Sequence, residues 1–185
     1  MLEVGVGPGM VSAALRAVGI DVVTVDLQAE LKPDVVASVT DLPLTDNSVD
    51  VSLCCQVLEH LPFARFESAI KELARVAALG IVLSLPGATR HYEVRLCLPK
   101  LPRLWWVYSR QCRVPAPYRD DHWQRSGHYW EVGYPETPLN RVVQVIRANN
   151  LSILRTWRVP EYPYHRFFII QTSKVADAGN SGVRG

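Results

Sequence analysis

Apolar positions along this chain switch between two spacings, and the switching lays out its elements. Pro8 suits a first helical turn, and Val11, Ala14, Leu15 and Val18 follow at helical intervals until Gly19 closes the segment. Asp21-Val22-Val23-Thr24-Val25-Asp26 is instead a short β-branched run that ends in a carboxylate, as a buried parallel strand does. The next helical region, near Ala29 to Lys32, is short and irregular. Val51-Ser52-Leu53-Cys54-Cys55 reads as a further strand. Phe66, Ile70, Leu73, Ala74 and Ala77 then mark one face of a helix, and Ile81-Val82-Leu83-Ser84-Leu85 is a strand stopped by Pro86-Gly87. Leu139, Val142, Val143 and Ile146 predict a helix that ends near Asn149-Asn150. Two strands, 151–157 and 167–171, close the pattern, joined by a polar and aromatic connection over 159–166. Alternation of this kind predicts an α/β, Rossmann-like, doubly wound domain.

The turn after the first two residues carries the first chemistry. In Glu3-Val4-Gly5-Val6-Gly7-Pro8-Gly9, glycines at alternate positions allow a tight turn and close approach of backbone to a ligand. The dinucleotide fingerprint places a third glycine where this chain has Met10, and the Gly-Lys-Ser/Thr ending of a phosphate loop is absent. Asp26 stands at the tip of the strand that follows, one helix further on. A carboxylate there can accept hydrogen bonds from both hydroxyls of a ribose.

Two later segments extend the series: Asp41-Leu42-Pro43-Leu44-Thr45-Asp46-Asn47-Ser48-Val49-Asp50, and Gln56-Val57-Leu58-Glu59-His60-Leu61 after the strand 51–55. With the Glu-x-Gly-x-Gly-x-Gly turn and the strand-end Asp26, these four ordered elements resemble the class I S-adenosylmethionine-dependent methyltransferases, in their large small-molecule branch. The resemblance implies a seven-stranded, mostly parallel sheet between helices, with a C-terminal antiparallel hairpin and ligand at the strands' carboxyl ends. It also implies S-adenosylmethionine as cofactor. Gly5, Gly7 and Gly9 would line its methionine portion, with Glu3 near the amino end. Asp26 would bind the ribose and Leu27 would pack on adenine. Asp41 would accept from the adenine amino group, Leu42 would supply a backbone donor to the ring, and Gln56 would sit near the sulfonium. Members of this group have several apolar residues of the first strand, and a helix, ahead of the position of Glu3; with only Met1 and Leu2 there, a truncated first strand is expected.

Composition narrows the class. The chain has 185 residues, 48% hydrophobic, with a formal net charge of +2, which describes an ordinary globular protein and no DNA binder. Residues 1–173 are expected to form one methyltransferase domain, and 174–185 a small, polar, disordered tail. The cysteines at 54, 55, 97 and 112 form no Cys-x-x-Cys and match no zinc spacing, which suggests a reducing cytoplasm. Neither a secretory segment nor an apolar run of membrane-spanning length is present.

Charge and aromatics gather in an insertion over about 87–130. Arg90, Arg95, Lys100, Arg103, Arg110, Arg113, Arg119 and Arg125 outnumber Glu93, Asp120 and Asp121 there, and Trp105, Trp106, Trp123 and Trp130 are four of the five tryptophans. Frequent prolines argue against long regular elements in it. In the related topology this is a lid, and its composition suits an anionic or sugar-bearing substrate, through bidentate Arg pairing and aromatic stacking. Peripheral membrane contact through 96–106 is a second reading. RNA contact through Arg103, Arg110, Arg113 and Arg119 is a third and lesser one.

The expected reaction is methyl transfer to a small molecule or a carrier-linked saccharide or lipid, for which the protein must align a nucleophile and take a proton. His60, directly after a strand exit, is the first candidate base, and His128, close in sequence to Glu131, the second. His165 and Arg166 read as strand-entry residues that could also touch an anion. Histidines at 60, 91, 122, 128 and 165 show no paired ligand spacing, so no metal site is expected, and the Gly-x-Ser-x-Gly of a serine hydrolase is absent. A methyltransferase-like fold acting only as a binding module is the alternative from another class.

Overall fold

A computed structural model describes residues 1–96, 104–111, 127–159 and 161–172, with the backbone path alone at 89–96 and 104–111. The elements in order are β1 (Leu2–Val4), α1 (Met10–Ala17), β2 (Val23–Asp26), β3 (Val35–Val36), β4 (Val49–Cys55), α2 (Phe66–Val76), β5 (Ala77–Pro86), β6 (Thr89–Leu96), β7 (Leu104–Gln111), α3 (Leu139–Ala148), β8 (Ser152–Val159) and β9 (Tyr162–Gln171). Seven strands form one sheet in the order β3-β2-β1-β4-β5-β9-β8. The first five run parallel, and β9 is antiparallel to both of its neighbours. The Rossmann-like sheet and its closing hairpin are therefore as expected. Loops that leave the carboxyl ends of β1, β2 and β4 gather on one edge, which is where open α/β sheets take ligands.

The core lies on the sheet face covered by α2 and α3. Leu2, Val4, Val25, Cys54, Ile81, Leu83, Phe168 and Ile170 meet Phe66, Ile70, Leu73, Val142 and Ile146 there, all buried. Burying each of the larger side chains contributes about 2 kcal/mol. The Ser52 hydroxyl adds a tie, donating to the Leu73 carbonyl at 3.0 Å. Glu3 alternates with Leu2 and Val4 and so faces the opposite side, where it meets Ser12, the buried residue of α1.

Several expectations are corrected. The apolar repeat that marks α1 does not coincide with its buried side: Val11 and Val18 are exposed, and Ser12 is the buried residue of the helix. Ala77 leaves the α2 face and begins β5, while Ala69 and Val76 complete the buried stripe. The connection placed over 159–166 is mostly strand, since Tyr162–Arg166 already pair within β9. The insertion, expected to lack long regular elements, holds the antiparallel pair β6–β7, eight residues on each side, from Thr89↔Gln111 to Leu96↔Leu104. The membrane segment 96–106 lies largely outside the described residues, as do Arg103, Arg113, Arg119 and the tail 174–185. Among the described residues no helix is long and apolar enough to cross a membrane.

One clamp fixes the segment that joins β3 to β4. Arg75 on α2 donates from Nη2 to the Leu42 carbonyl at 2.9 Å, from Nη1 to the Leu44 carbonyl at 2.7 Å and the Asp46 carboxylate at 2.8 Å, and from Nε to Glu72 at 2.7 Å. Glu72 in turn accepts the Leu42 N–H at 2.9 Å. Hydrogen bonding from Arg75, the largest influence, holds the Glu72 carboxyl below its ordinary 4.5. A depressed folded-state value stabilises the fold above 4.5 and stops doing so as pH falls through that value. Urea unfolding should therefore show wild-type stability dropping below pH 4.5 by more than that of Glu72→Gln. At neutral pH, Arg75→Ala should lose about 2 kcal/mol.

Candidate functional site

The glycine turn is built by its neighbours as much as by its own sequence. Gly5 adopts φ +83° and donates its N–H to the Val25 carbonyl at 2.9 Å. A Cβ on Gly5 would stand 2.2 Å from Val57 Cγ2, so only glycine lets the turn pass the exit of β4. Gly7 and Gly9 also have positive φ, and a Cβ on either would meet nothing within 4 Å. Asp26 holds the turn from the side: Oδ2 accepts the Val6 N–H at 2.8 Å and Oδ1 the Gln28 N–H at 2.9 Å. Each carboxylate oxygen keeps a second lone pair for a ligand.

Glu3 lies beneath this turn, buried. Burial pushes its pKa up, and hydrogen bonding from Ser12 and the charge of Arg16 pull it back. Its Oε2 is buried with no hydrogen-bond partner. Gln56, at the end of β4, takes the left-handed φ of +57° and is fixed by two bonds to Ser84, N–H to carbonyl at 3.2 Å and Nε2 to Oγ at 2.9 Å. Such backbone in a non-glycine residue marks a position held by its surroundings. Leu27 is 71% exposed and Asp41 is exposed, both on the same edge. Leu42 departs from expectation: its N–H is already given to Glu72, so it fixes the loop and cannot serve as the ring donor.

Beyond β4 the chain folds a second polar group around the turn 58–60. Residues 127–134 come back to this turn after the insertion, and Trp130, expected to belong to the lid, anchors them in the core. Its ring stands edge-on to Phe63 and Phe66 at 4.9 and 5.3 Å, and its Nε1 donates to the carbonyls of Leu58 at 3.2 Å and Leu61 at 3.0 Å. His128 is thereby carried beside His60, ring centroids 5.0 Å apart. His60 Nδ1 lies 3.1 Å from the Gly127 carbonyl, and His128 Nδ1 lies 3.1 Å from Glu131 Oε1. Tyr164 donates to the same Glu131 oxygen at 2.6 Å. Long-range folding thus supplies a grouping that sequence spacing does not: Glu59, His60 and His128 each offer a ligand atom within 4.8 Å of the others.

Glu59 is the group that the sequence reading passed over, although it sits inside the Leu-Glu-His motif. It is fully buried, and no other residue gives either carboxylate oxygen a hydrogen bond. Burial pushes its pKa up to about 7. Tyr164 was missed because 159–166 read as a loop, and burial raises its pKa strongly, with Glu131 adding to the rise. His165 and Arg166, expected at a strand entry, are inside β9.

The fold and the turn together define a class. Residues 2–83 match a family model described as a methyltransferase domain. An S-adenosylmethionine-dependent methyltransferase from Mesorhizobium loti has the same fold at 15% identity, TM-score 0.60, over 92% of this chain and 89% of its own. The magnesium protoporphyrin IX methyltransferase of Synechocystis PCC 6803, solved with bound S-adenosylmethionine, superposes at 19% identity and TM-score 0.57, over 93% and 69%. The 1,6-didemethyltoxoflavin-N1-methyltransferase of Burkholderia thailandensis does so at 15% and 0.55, over 92% and 68%. No curated protein matches the chain in sequence. Residues 2–83 thus carry the sequence of a methyltransferase domain, and the chain as a whole has the fold of class I S-adenosylmethionine-dependent methyltransferases.

The glycines should separate by substitution. Gly7→Ala or Gly9→Ala meets only the left-handed strain of about 1–2 kcal/mol, whereas Gly5→Ala adds an overlap with Val57 and should cost more than about 3 kcal/mol in urea unfolding. In Gly5→Ala/Val57→Ala part of that loss should return.

Proposed function

We propose that residues 1–173 act as one domain that methylates a small-molecule acceptor bearing an anionic group, with the insertion over 87–130 as its lid. A carrier-linked saccharide or lipid whose phosphate supplies the charge falls in this class. The cofactor, when bound, supplies a methyl group already made electrophilic by its sulfonium. Glu3, with its bare oxygen, and Gly5, Gly7 and Gly9 would hold its methionine part. Asp26 would hold the ribose, Leu27 and Asp41 the adenine, and Gln56 the region of the reacting sulfur. The group of Glu59, His60 and His128 at the β4 exit is where the acceptor's nucleophilic atom would be activated. Two bound relatives, acting on a protoporphyrin and on a toxoflavin precursor by their names, support a small-molecule acceptor. Two unpaired thiols, Cys54 and Cys55, side by side in β4, support a reducing cytoplasm.

The anionic character rests on one observation. Arg158 of β8 and Arg166 of β9 are directly opposite each other and half-buried. Arg166 donates to Thr156 Oγ1 at 3.2 Å, and the Nε atoms of both arginines are buried without a partner. No carboxylate pairs with either among the described residues. Burial, then the neighbouring charge, lowers Arg158 to about 10, and burial lowers Arg166 as well. Two like charges in one partly dry place cost stability that a bound carboxylate or phosphate would offset. Arg166 lies opposite Leu85, near the carboxyl end of β5, two residues from Tyr164.

Calorimetric titration with S-adenosylhomocysteine should give one saturable site, weakened about tenfold or more in Asp26→Ala; silence in the wild type would leave a binding module without this cofactor. Arg158→Met should raise stability by about 1–2 kcal/mol and remove the stabilisation that inorganic phosphate gives the wild type in thermal unfolding, while leaving S-adenosylhomocysteine affinity unchanged. Phosphate without effect on the wild type would sink the anionic-acceptor reading.

A further inference from the structure

We propose that Glu59, His60 and His128 form a binding site for one divalent transition-metal ion, zinc by its donor set, at the open end of β4. The three donors come from a turn and from a segment about seventy positions later, joined by Trp130, and one ligand atom of each lies within 4.8 Å of the other two. Zinc ligands at about 2.0–2.2 Å stand about 3.4 Å from one another.

Glu59 is the independent sign of a missing cation. It is wholly buried and places a carboxylate oxygen in the group, and no other residue gives either oxygen a hydrogen bond. A buried carboxylate in that state is costly, and a metal ion removes the cost by giving both charge and coordination. The histidines are prepared in the way ligating histidines are. His60 Nδ1 faces the Gly127 carbonyl and His128 Nδ1 faces the Glu131 carboxylate, which Tyr164 steadies in turn. Outer partners of this type fix the tautomer and orientation of a ligating imidazole.

Burial is graded across the group, with Glu59 at the floor, His128 half-buried and His60 exposed. Three protein ligands with one open side are the arrangement of a metal that receives a further ligand from solution. Two imidazoles favour zinc over magnesium or calcium, which take oxygen donors. Resting on the methyl-transfer reading, the further ligand would be the acceptor's oxygen, held at the β4 exit with its pKa lowered and its proton released to water. Metal binding itself does not depend on that reading.

The test uses the full chain, stripped by chelation and titrated with zinc chloride by calorimetry and with cobalt(II) by visible absorption. One equivalent should bind, with d–d bands for cobalt. His60→Gln and His128→Gln should each weaken zinc at least about tenfold, and Glu59→Gln should do the same without loss of stability. S-adenosylhomocysteine affinity should persist in all three, which reports that the fold is intact. No saturable uptake, or uptake that survives in His60→Gln/His128→Gln, would overturn the site. Loss of S-adenosylhomocysteine binding in the wild type with zinc uptake retained would count against methyl transfer and leave the metal site standing.

Discussion

The indole of Trp130, donating to two carbonyls of the turn after β4, is the interaction on which the rest of the ligand edge depends. Without it, the chain that returns from the insertion would have no fixed register against the sheet. With it, the Val132 N–H donates to the Pro86 carbonyl, its carbonyl accepts the Ala88 N–H, and Tyr129 donates to the Glu59 carbonyl. A buried indole N–H needs an acceptor, and the open carbonyls of a short 3-10 turn are a natural source. Packing and polar satisfaction are met by the same residue, so the site's geometry is tied to the stability of the core.

That geometry concentrates acid. Glu3, Glu59 and Glu131 are all buried near the carboxyl ends of β1 and β4, and they differ in what surrounds them. Ser12 satisfies part of Glu3, Tyr164 and His128 satisfy Glu131, and Glu59 is left bare. The two half-buried arginines on β8 and β9 show the opposite imbalance. Stability has been conceded at both places, which is the usual mark of surfaces arranged for something other than themselves.

What could be read from the sequence was what local pattern encodes. The strand of 51–55, the helix of 139–148 and the glycine turn follow from periodicity and from residues with special backbone freedom, and all appear in the structure. Asp26 was legible because its position at a strand tip is itself local. Glu59 was quoted only as part of a motif, since nothing in Leu-Glu-His states that burial will be complete. The meeting of His60 with His128 depends on a crossing that spans the whole insertion. The buried side of α1 was not legible, and the strand character of Tyr162–Arg166 was misread, for a related reason: helical spacing does not say which side faces a sheet, and polar aromatic residues pair in strands as readily as they line loops.

The strand order has a consequence for how the molecule is made. β9, the last strand among the described residues, is not at the edge of the sheet; it lies between β5 and β8. During synthesis the strands up to β5 can assemble as they emerge, but β5 then keeps a bare edge, and β8, although complete, has no place to attach. Only when β9 is released does the sheet close, through pairings about ninety positions apart in sequence. For that interval the nascent chain carries the open hydrogen-bonding edge that invites pairing with another chain, and closing it waits on β9.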